Sequence, residues 1–231
     1  MNDLRFAIRQ LLKNPGFTAV TVLTMGLGIA TVTVVFSLIN TLYFHTLAVR
    51  ELRRLHEIFA VPDSGSDSYQ PFSYPNYADY RDRNDVFEGL LAQSSSHVFN
   101  LRLADGIQTV SGAYVSGNYF SVLGLRPSAG RFFSTDEDAV PGRNPVAVIS
   151  QALWRAQFHQ SPDAVGRTVE LNGQAYTIIG IAPGGFQGTA MPSKSDVWVP
   201  LMMISPASWL ESRSTAWLAM MGRLRPRVSR V

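Results

Sequence analysis

The pattern of hydrophobic and polar positions divides the chain into two unequal parts. From Phe17 to Phe44 no Lys, Arg, Asp or Glu interrupts the sequence. A hydrocarbon core of roughly 30 Å needs about 20 helical residues to cross it, and this run is longer, so it predicts a transmembrane helix over 17–44. Ahead of it, residues 2–13 place Leu4, Ile8, Leu11 and Leu12 on one helical face and Arg5, Arg9 and Lys13 on another. That is the pattern of an amphipathic helix lying at the membrane interface, occupying 1–16 and ended by Asn14-Pro15-Gly16. A signal peptide is the competing reading, but its apolar region is only about 7–15 residues and no A-x-A cleavage site follows here.

Beyond residue 45 the period shortens and turn residues recur. Leu55–Val61, Leu90–Leu103, Ile107–Val115, Val146–Ile149, Asp196–Leu201 and Trp217–Leu224 read as strands, with the second broken by the polar stretch Gln93–Ser96. Asn172-Gly173 between Thr168–Leu171 and Gln174–Ile181 is a strong hairpin signal, because both residues tolerate the positive φ of a type I′ turn. Short helices intervene. Pro75 suits the first turn of one that ends near Asn84 and lines up Tyr74, Tyr77 and Tyr80; Gly124 stops another over 117–123; Ser150 caps a third over 151–158. The run 197–210 is apolar but holds Pro200 and Pro206, so it predicts buried strand and loop rather than a second span. The expected fold class is α+β: one transmembrane helix followed by a mixed α/β domain over 45–231.

Within the span, Gly26, Ala30, Thr33, Ser37 and Asn40 stack small and polar side chains on one stripe. Association between helices in lipid depends on close backbone approach and interhelical hydrogen bonds, so this stripe is the candidate helix-packing face.

Composition excludes several classes. The net charge of +3 and pI near 9.4 come from scattered residues with no basic cluster interleaved with aromatics, so no nucleic-acid partner is expected. There is no cysteine, hence no disulfide or thiolate site. No G-x-x-x-x-G-K-[ST] phosphate loop and no G-x-S-x-G elbow occurs, and the histidines 45, 56, 97 and 159 show no ligand spacing. Ser134-Thr135-Asp136-Glu137-Asp138 could recruit a cation, yet it reads better as a capping box with solvated acids. Gly184–Gly188 reads as a flexible loop. No catalytic, metal or cofactor residue is nominated, and no enzyme is expected.

Specific segments then carry a resemblance. KNPGFTAVTVLTMGLGIATVTVVFSLIN looks like the opening membrane helix of ABC-transporter permeases with a MacB-like periplasmic core domain, the group that includes FtsX-like permeases. SYPNYADYRDRNDVFEGL, VSGNYFSVLGLRPSAGRFF, PVAVISQALWRAQF, GRTVELNGQAYTIIGIAPGGF and DVWVPL resemble successive blocks of that domain, in order. The resemblance implies a bacterial inner-membrane protein with a cytoplasmic N-terminus and a periplasmic domain of two lobes. It implies partnership with an ABC ATPase subunit that binds ATP separately, with further permease helices or a second permease copy, and with membrane lipid. It implies a mechanical role, mechanotransmission or efflux, with no catalytic residue carried over.

The sequence departs from the family's pattern at GIATVTVVFS, at FHTLAVREL and after WLAMMGRLRP, where relatives continue into more periplasmic structure and three further membrane helices. On this reading the chain is a C-terminally truncated permease. The alternative is a single-pass envelope adaptor with an interaction domain and no transport activity.

Overall fold

The computed structural model describes residues 13–43, 49, 51–61, 69–103, 106–190 and 193–226. The expected interfacial helix, with Arg5 and Arg9, lies outside the described residues; Lys13 is described and exposed. The chain divides into two units, Met1–Thr46 and Leu47–Val231.

The first unit is built on α1 (Pro15–Tyr43), whose 29 residues make a rod of about 43 Å. Its stretch Pro15–Ser37 is apolar, with a mean hydropathy of 2.1. The hydroxyls along it find partners within the helix. Thr21, Thr24, Thr31 and Thr33 donate to the carbonyls of Phe17, Val20, Leu27 and Ile29 at 2.8–2.9 Å. A polar side chain that closes its bond on the preceding turn leaves no donor to satisfy in lipid.

The second unit begins with β1 (Leu55–Ile58) and continues through α2 (Tyr74–Arg83), β2 (Phe87–Ser94), β3 (His97–Leu103), β4 (Gly106–Val115) and α3 (Tyr119–Leu123). Then come β5 (Ala129–Gly130), β6 (Val146–Ile149), α4 (Gln151–Phe158), β7 (Thr168–Leu171), β8 (Gln174–Ile181), β9 (Val197–Pro200) and β10 (Leu218–Leu224). The strands form one sheet whose order is β1-β10-β2-β4-β3-β7-β8-β6-β9, and β9 pairs back onto β4. The pairings β4–β3, β3–β7, β7–β8, β8–β6, β6–β9 and β9–β4 therefore close a small ring, from which β2, β10 and β1 extend. Parallel pairs β6–β8 and β4–β9 sit beside antiparallel ones, which is the mixed character the sequence predicts.

Alternation along the strands separates two cores. Leu90 and Ala92 of β2, Ala147 and Ile149 of β6, and Val197 and Val199 of β9 belong to one; Leu91, Val148 and Trp198 belong to the other. Successive side chains of a strand point to opposite faces, so the cores lie on the two sides of one sheet. The first is lined by Phe99, Leu101, Val169, Leu171 and Ile178 of the ring and extends to Tyr77 of α2 and Phe158 of α4. The second is covered by Tyr119, Phe120, Phe133 and Phe186, with Phe120 stacked on Phe132 at 4.0 Å and Phe186 on Trp198 at 5.4 Å. Both cores belong to the one unit Leu47–Val231, since a single sheet supplies a wall to each.

Local signals hold where they are strongest. Asn172 and Gly173 adopt φ of 51° and 83° in the β7–β8 turn, and Gly124 closes α3 at φ 69°. Ser150 accepts the Leu153 N–H at 3.0 Å, and Ser73 the Asn76 N–H at 3.3 Å. One expectation is narrowed and another corrected. The break expected within 93–96 is there but narrower, falling at 95–96: β2 runs on through Gln93 and Ser94 because both polar side chains are buried with partners, Gln93 accepting from Thr189 Oγ1 at 2.7 Å and Ser94 from Tyr114 N at 3.0 Å. The Gly184–Gly188 segment, read as a flexible loop, inserts Phe186 into the second core, leaving it 2% exposed.

Candidate functional site

The structure offers three sites, one on α1 and two in the second unit. On α1, Gly26, Ala30, Thr33, Ser37 and Asn40 fall within a stripe about 80° wide. No atom lies within 4 Å of a Cβ built at Gly26, so a neighbouring helix could approach closely there. Thr33 bonds Ile29 O at 2.8 Å, leaving its hydroxyl little capacity to donate across an interface. What the stripe presents at Gly26 and Ala30 is small size. Ser37 is exposed, and Asn40 lies in the last turns of the helix.

The second site is an ionic clamp where the second unit begins. Glu51, at φ 49°, accepts Arg54 Nη1 at 2.9 Å, and Arg54 Nη2 also reaches Glu88 at 2.9 Å. Arg54 Nε donates to Leu224 O at 2.9 Å, and its Nη2 shares that carbonyl. Arg223 is buried, donates from Nε to Val122 O at 2.7 Å and stands 4.0 Å from Glu51. A buried guanidinium needs such partners. The segment before β1 is thereby tied to the end of β10 and to β2, and Arg223 of β10 is tied in turn to the last turn of α3. In the sequence Arg54 reads as one of several positive charges flanking the span; nothing local to it announces carbonyl and carboxylate partners so far along the chain.

The third site is a cleft of about 370 Å³ lined by Tyr74, Tyr77, Arg81, Asn118, Thr135 and Asp138. Tyr74, Tyr77 and Arg81 share a face of α2, whose N-terminus is fixed by the Ser73 cap. Tyr77 is buried and donates to Leu90 O at 3.3 Å and Asn118 Oδ1 at 3.4 Å; burial pushes its hydroxyl up to about 12. Asn118 donates to Leu90 O at 2.7 Å and accepts from Ser116 Oγ, also at 2.7 Å. Arg81 lies over the Tyr77 ring, 5.5 Å from its centroid, and pairs with Asp82 at 2.8 Å.

Asp138 lines the cleft and is 8% exposed. Its Oδ2 accepts Gly117 N at 2.9 Å and its Oδ1 accepts Met202 N at 3.1 Å. Burial raises its carboxyl to about 6, against the opposing pull of those backbone donors and of the Arg81 charge. The polar and acidic run 134–138 predicts a solvated or capping acid at Asp138. The capping element is real, since Glu137 accepts Ser134 N at 2.9 Å, but Asp138 turns inward. Its partners, 21 and 64 residues distant, leave no local trace.

Among the described residues no three of His, Asp and Glu converge as metal ligands. His97 packs edge-on against Tyr114 at 5.0 Å, and burial lowers its pKa. These arrangements fasten segments together and shape surfaces.

The macrolide export ATP-binding/permease protein MacB of Shigella dysenteriae serotype 1 (strain Sd197) is 29% identical over 102 residues, which are 42% of this chain and 15% of that protein's length. The periplasmic region of MacB from Actinobacillus actinomycetemcomitans superposes with a TM-score of 0.57 at 16% identity, over 78% of this chain and 80% of that one. The extracellular domain of the noncanonic ABC-type transporter YknZ from Gram-positive bacteria gives a TM-score of 0.53 at 16% identity, over 75% and 84% of the two chains. At these identities the likeness to the solved domains is one of fold. Residues 18–230 match the family model of the MacB-like periplasmic core domain, and the chain belongs to that family.

Proposed function

We propose that this chain provides the first membrane helix and the extracytoplasmic domain of an ABC-type permease subunit that passes motion across the bacterial inner membrane. The observation that carries this reading is the family match over 18–230, which takes in most of the apolar helix together with the whole mixed sheet. On this reading the N-terminus is cytoplasmic and the second unit periplasmic. ATP is bound by a separate ABC ATPase subunit, and the protein itself holds no cofactor. Closure of that ATPase moves the membrane helices, and the Glu51–Arg54–Arg223 clamp delivers the displacement to β10 and β2, to which the segment before β1 is pinned, and onward through Arg223 of β10 to the end of α3. The periplasmic unit then acts on a substrate or partner protein by changing position.

The stripe from Gly26 to Asn40 would seat α1 against further permease helices or a second permease copy. One observation favours a second reading, a single-pass adaptor without transport. The hydroxyls of Thr21, Thr24, Thr31 and Thr33 are already satisfied inside α1, so the helix needs no companion to be stable in lipid.

One experiment tests the topology and a second separates the readings. The chain has no thiol of its own, so Asn2→Cys and Gln108→Cys report sidedness directly. A membrane-impermeant maleimide applied to spheroplasts should label the Gln108→Cys variant and spare Asn2→Cys; the reverse pattern overturns the topology. Gly26→Leu and Ala30→Leu should then reduce co-purification with companion permease helices and an ABC ATPase, while leucine at Val22 and Val35 has no effect. Equal recovery from both sets favours the adaptor.

A further inference from the structure

Asp138 and Arg81 carry opposite charges and line one cleft without meeting. Each is held in place by other partners. The Asp138 carboxylate accepts Gly117 N at 2.9 Å and Met202 N at 3.1 Å, one on each oxygen, and these donors favour its ionised form. The Arg81 guanidinium commits Nε and Nη2 to the two oxygens of Asp82, at 2.8 and 3.1 Å, and lies over the Tyr77 ring; Nη1 takes no part in that pairing. Among the described residues Asp138 forms no ion pair. Burial raises the Tyr74 hydroxyl, the Asp138 charge raises it further and the Arg81 charge pulls it down, so both charges reach the space this ring borders.

We propose that this cleft binds a free α-amino acid, with its ammonium group on Asp138, its carboxylate on Arg81 Nη1 and its side chain along Tyr74 and Tyr77. Each Asp138 oxygen keeps acceptor capacity beyond its one backbone donor, and a buried carboxylate beside a void is completed by a cation. A ligand that is only a cation would be opposed by Arg81, and one that is only an anion by Asp138. The matching ligand therefore carries both charges a few bonds apart.

Size and lining narrow the class. A volume of about 370 Å³ is at the small end of ligand sites, which suits an amino acid better than a peptide or a glycan. The rings of Tyr74 and Tyr77 favour an aromatic or branched apolar side chain over a charged one. All the lining residues belong to the second unit, so the site stands or falls independently of the topology proposed above.

Saturation-transfer NMR titrations of the full chain in detergent at neutral pH test the site, with L-phenylalanine and L-leucine as probes. At least one should bind with a Kd of about 1 mM or tighter. The analogues of that probe lacking the carboxylate (2-phenylethylamine or 3-methylbutylamine) or the ammonium group (3-phenylpropanoate or 4-methylpentanoate) should each bind about tenfold more weakly or worse. Arg81→Gln should erase the preference over the amine, and Asp138→Asn the preference over the acid. Failure of both probes to bind the wild-type chain overturns the proposal. So does an analogue that binds as tightly as the amino acid, or a preference over the amine that survives Arg81→Gln. Should Asp138→Asn fail to fold, the analogues on the wild-type chain and Arg81→Gln, at a part-exposed side chain, still decide it.

Discussion

The two units of this chain satisfy their polar groups on opposite principles. Along α1 the bonds are local: four threonine hydroxyls reach back one turn and close on the helix that carries them. In the second unit the decisive bonds are distant. Arg54 meets Leu224 O across 170 residues, Arg223 meets Val122 O across 101, and Asp138 meets Met202 N across 64. A segment surrounded by lipid has no water to fall back on and must be complete in itself. A domain in water can leave its ends to be satisfied by whatever folding brings near. α1 therefore completes its hydroxyl bonds within itself, whereas the second unit is closed by bonds between residues far apart in the chain.

The largest test of that contrast is Trp198→Ala. Trp198 is fully buried between Phe120 and Phe186, and its loss should destabilise the second unit by about 3–5 kcal/mol in chemical denaturation. The helical circular-dichroism signal of α1 should survive the transition; simultaneous loss of both would show the units to be coupled.

Next comes one substitution at two glycines. A Cβ at Gly112 would stand 2.5 Å from Val197 O, where β4 and β9 close the ring, so Gly112→Ala should cost about 1–3 kcal/mol. Gly26→Ala meets nothing within 4 Å and should leave the melting of the second unit unchanged. Equal melting temperatures for the two variants would break the contrast.

Asn172→Ala probes a local device that also reaches outward. The residue sits at φ 51° and accepts the Asn100 N–H at 2.8 Å, so alanine should cost about 1–2 kcal/mol and loosen exchange at the β3 edge. Smallest is Arg131→Gln. The Arg131 guanidinium holds the Glu137 carboxyl below the usual carboxylate range, so what the pair contributes is present at neutral pH and lost as pH falls through that depressed value. Because Arg131 is exposed, the loss should stay under about 1 kcal/mol. It should fade further in molar salt.

The same contrast explains what was legible in the sequence. The span, the Asn172-Gly173 turn, the Gly124 stop and the serine caps could be read because each is decided within a few residues. The break between β2 and β3 was legible but its exact start was not, because Gln93 and Ser94 look like part of it until Thr189 and Tyr114 N arrive to pair with them. Asp138 sits in a run of polar and acidic residues that promises solvation, and only Gly117 and Met202 make it an internal fastening. Arg54 and Arg223 are similar: charge is visible in a sequence, and its partner is not. The sequence resemblance to the permease family was therefore the stronger guide to the second unit, since a family pattern encodes distant pairings that periodicity misses.

The order of the sheet carries a consequence for synthesis. β10 lies between β1 and β2, so the strand that follows the membrane helix pairs with the last strand of the unit. At roughly 5–20 residues per second, translation leaves β1 waiting on the order of ten to thirty seconds for its only ladder partner among the described strands. Throughout that interval the facing edges of β1 and β2 are open to mispairing, close to the bilayer if the chain is delivered across it as proposed. Maturation should therefore depend on a holding chaperone at the translocation exit, and a pause in translation before residue 218 should raise aggregation far more than an equal pause after residue 226.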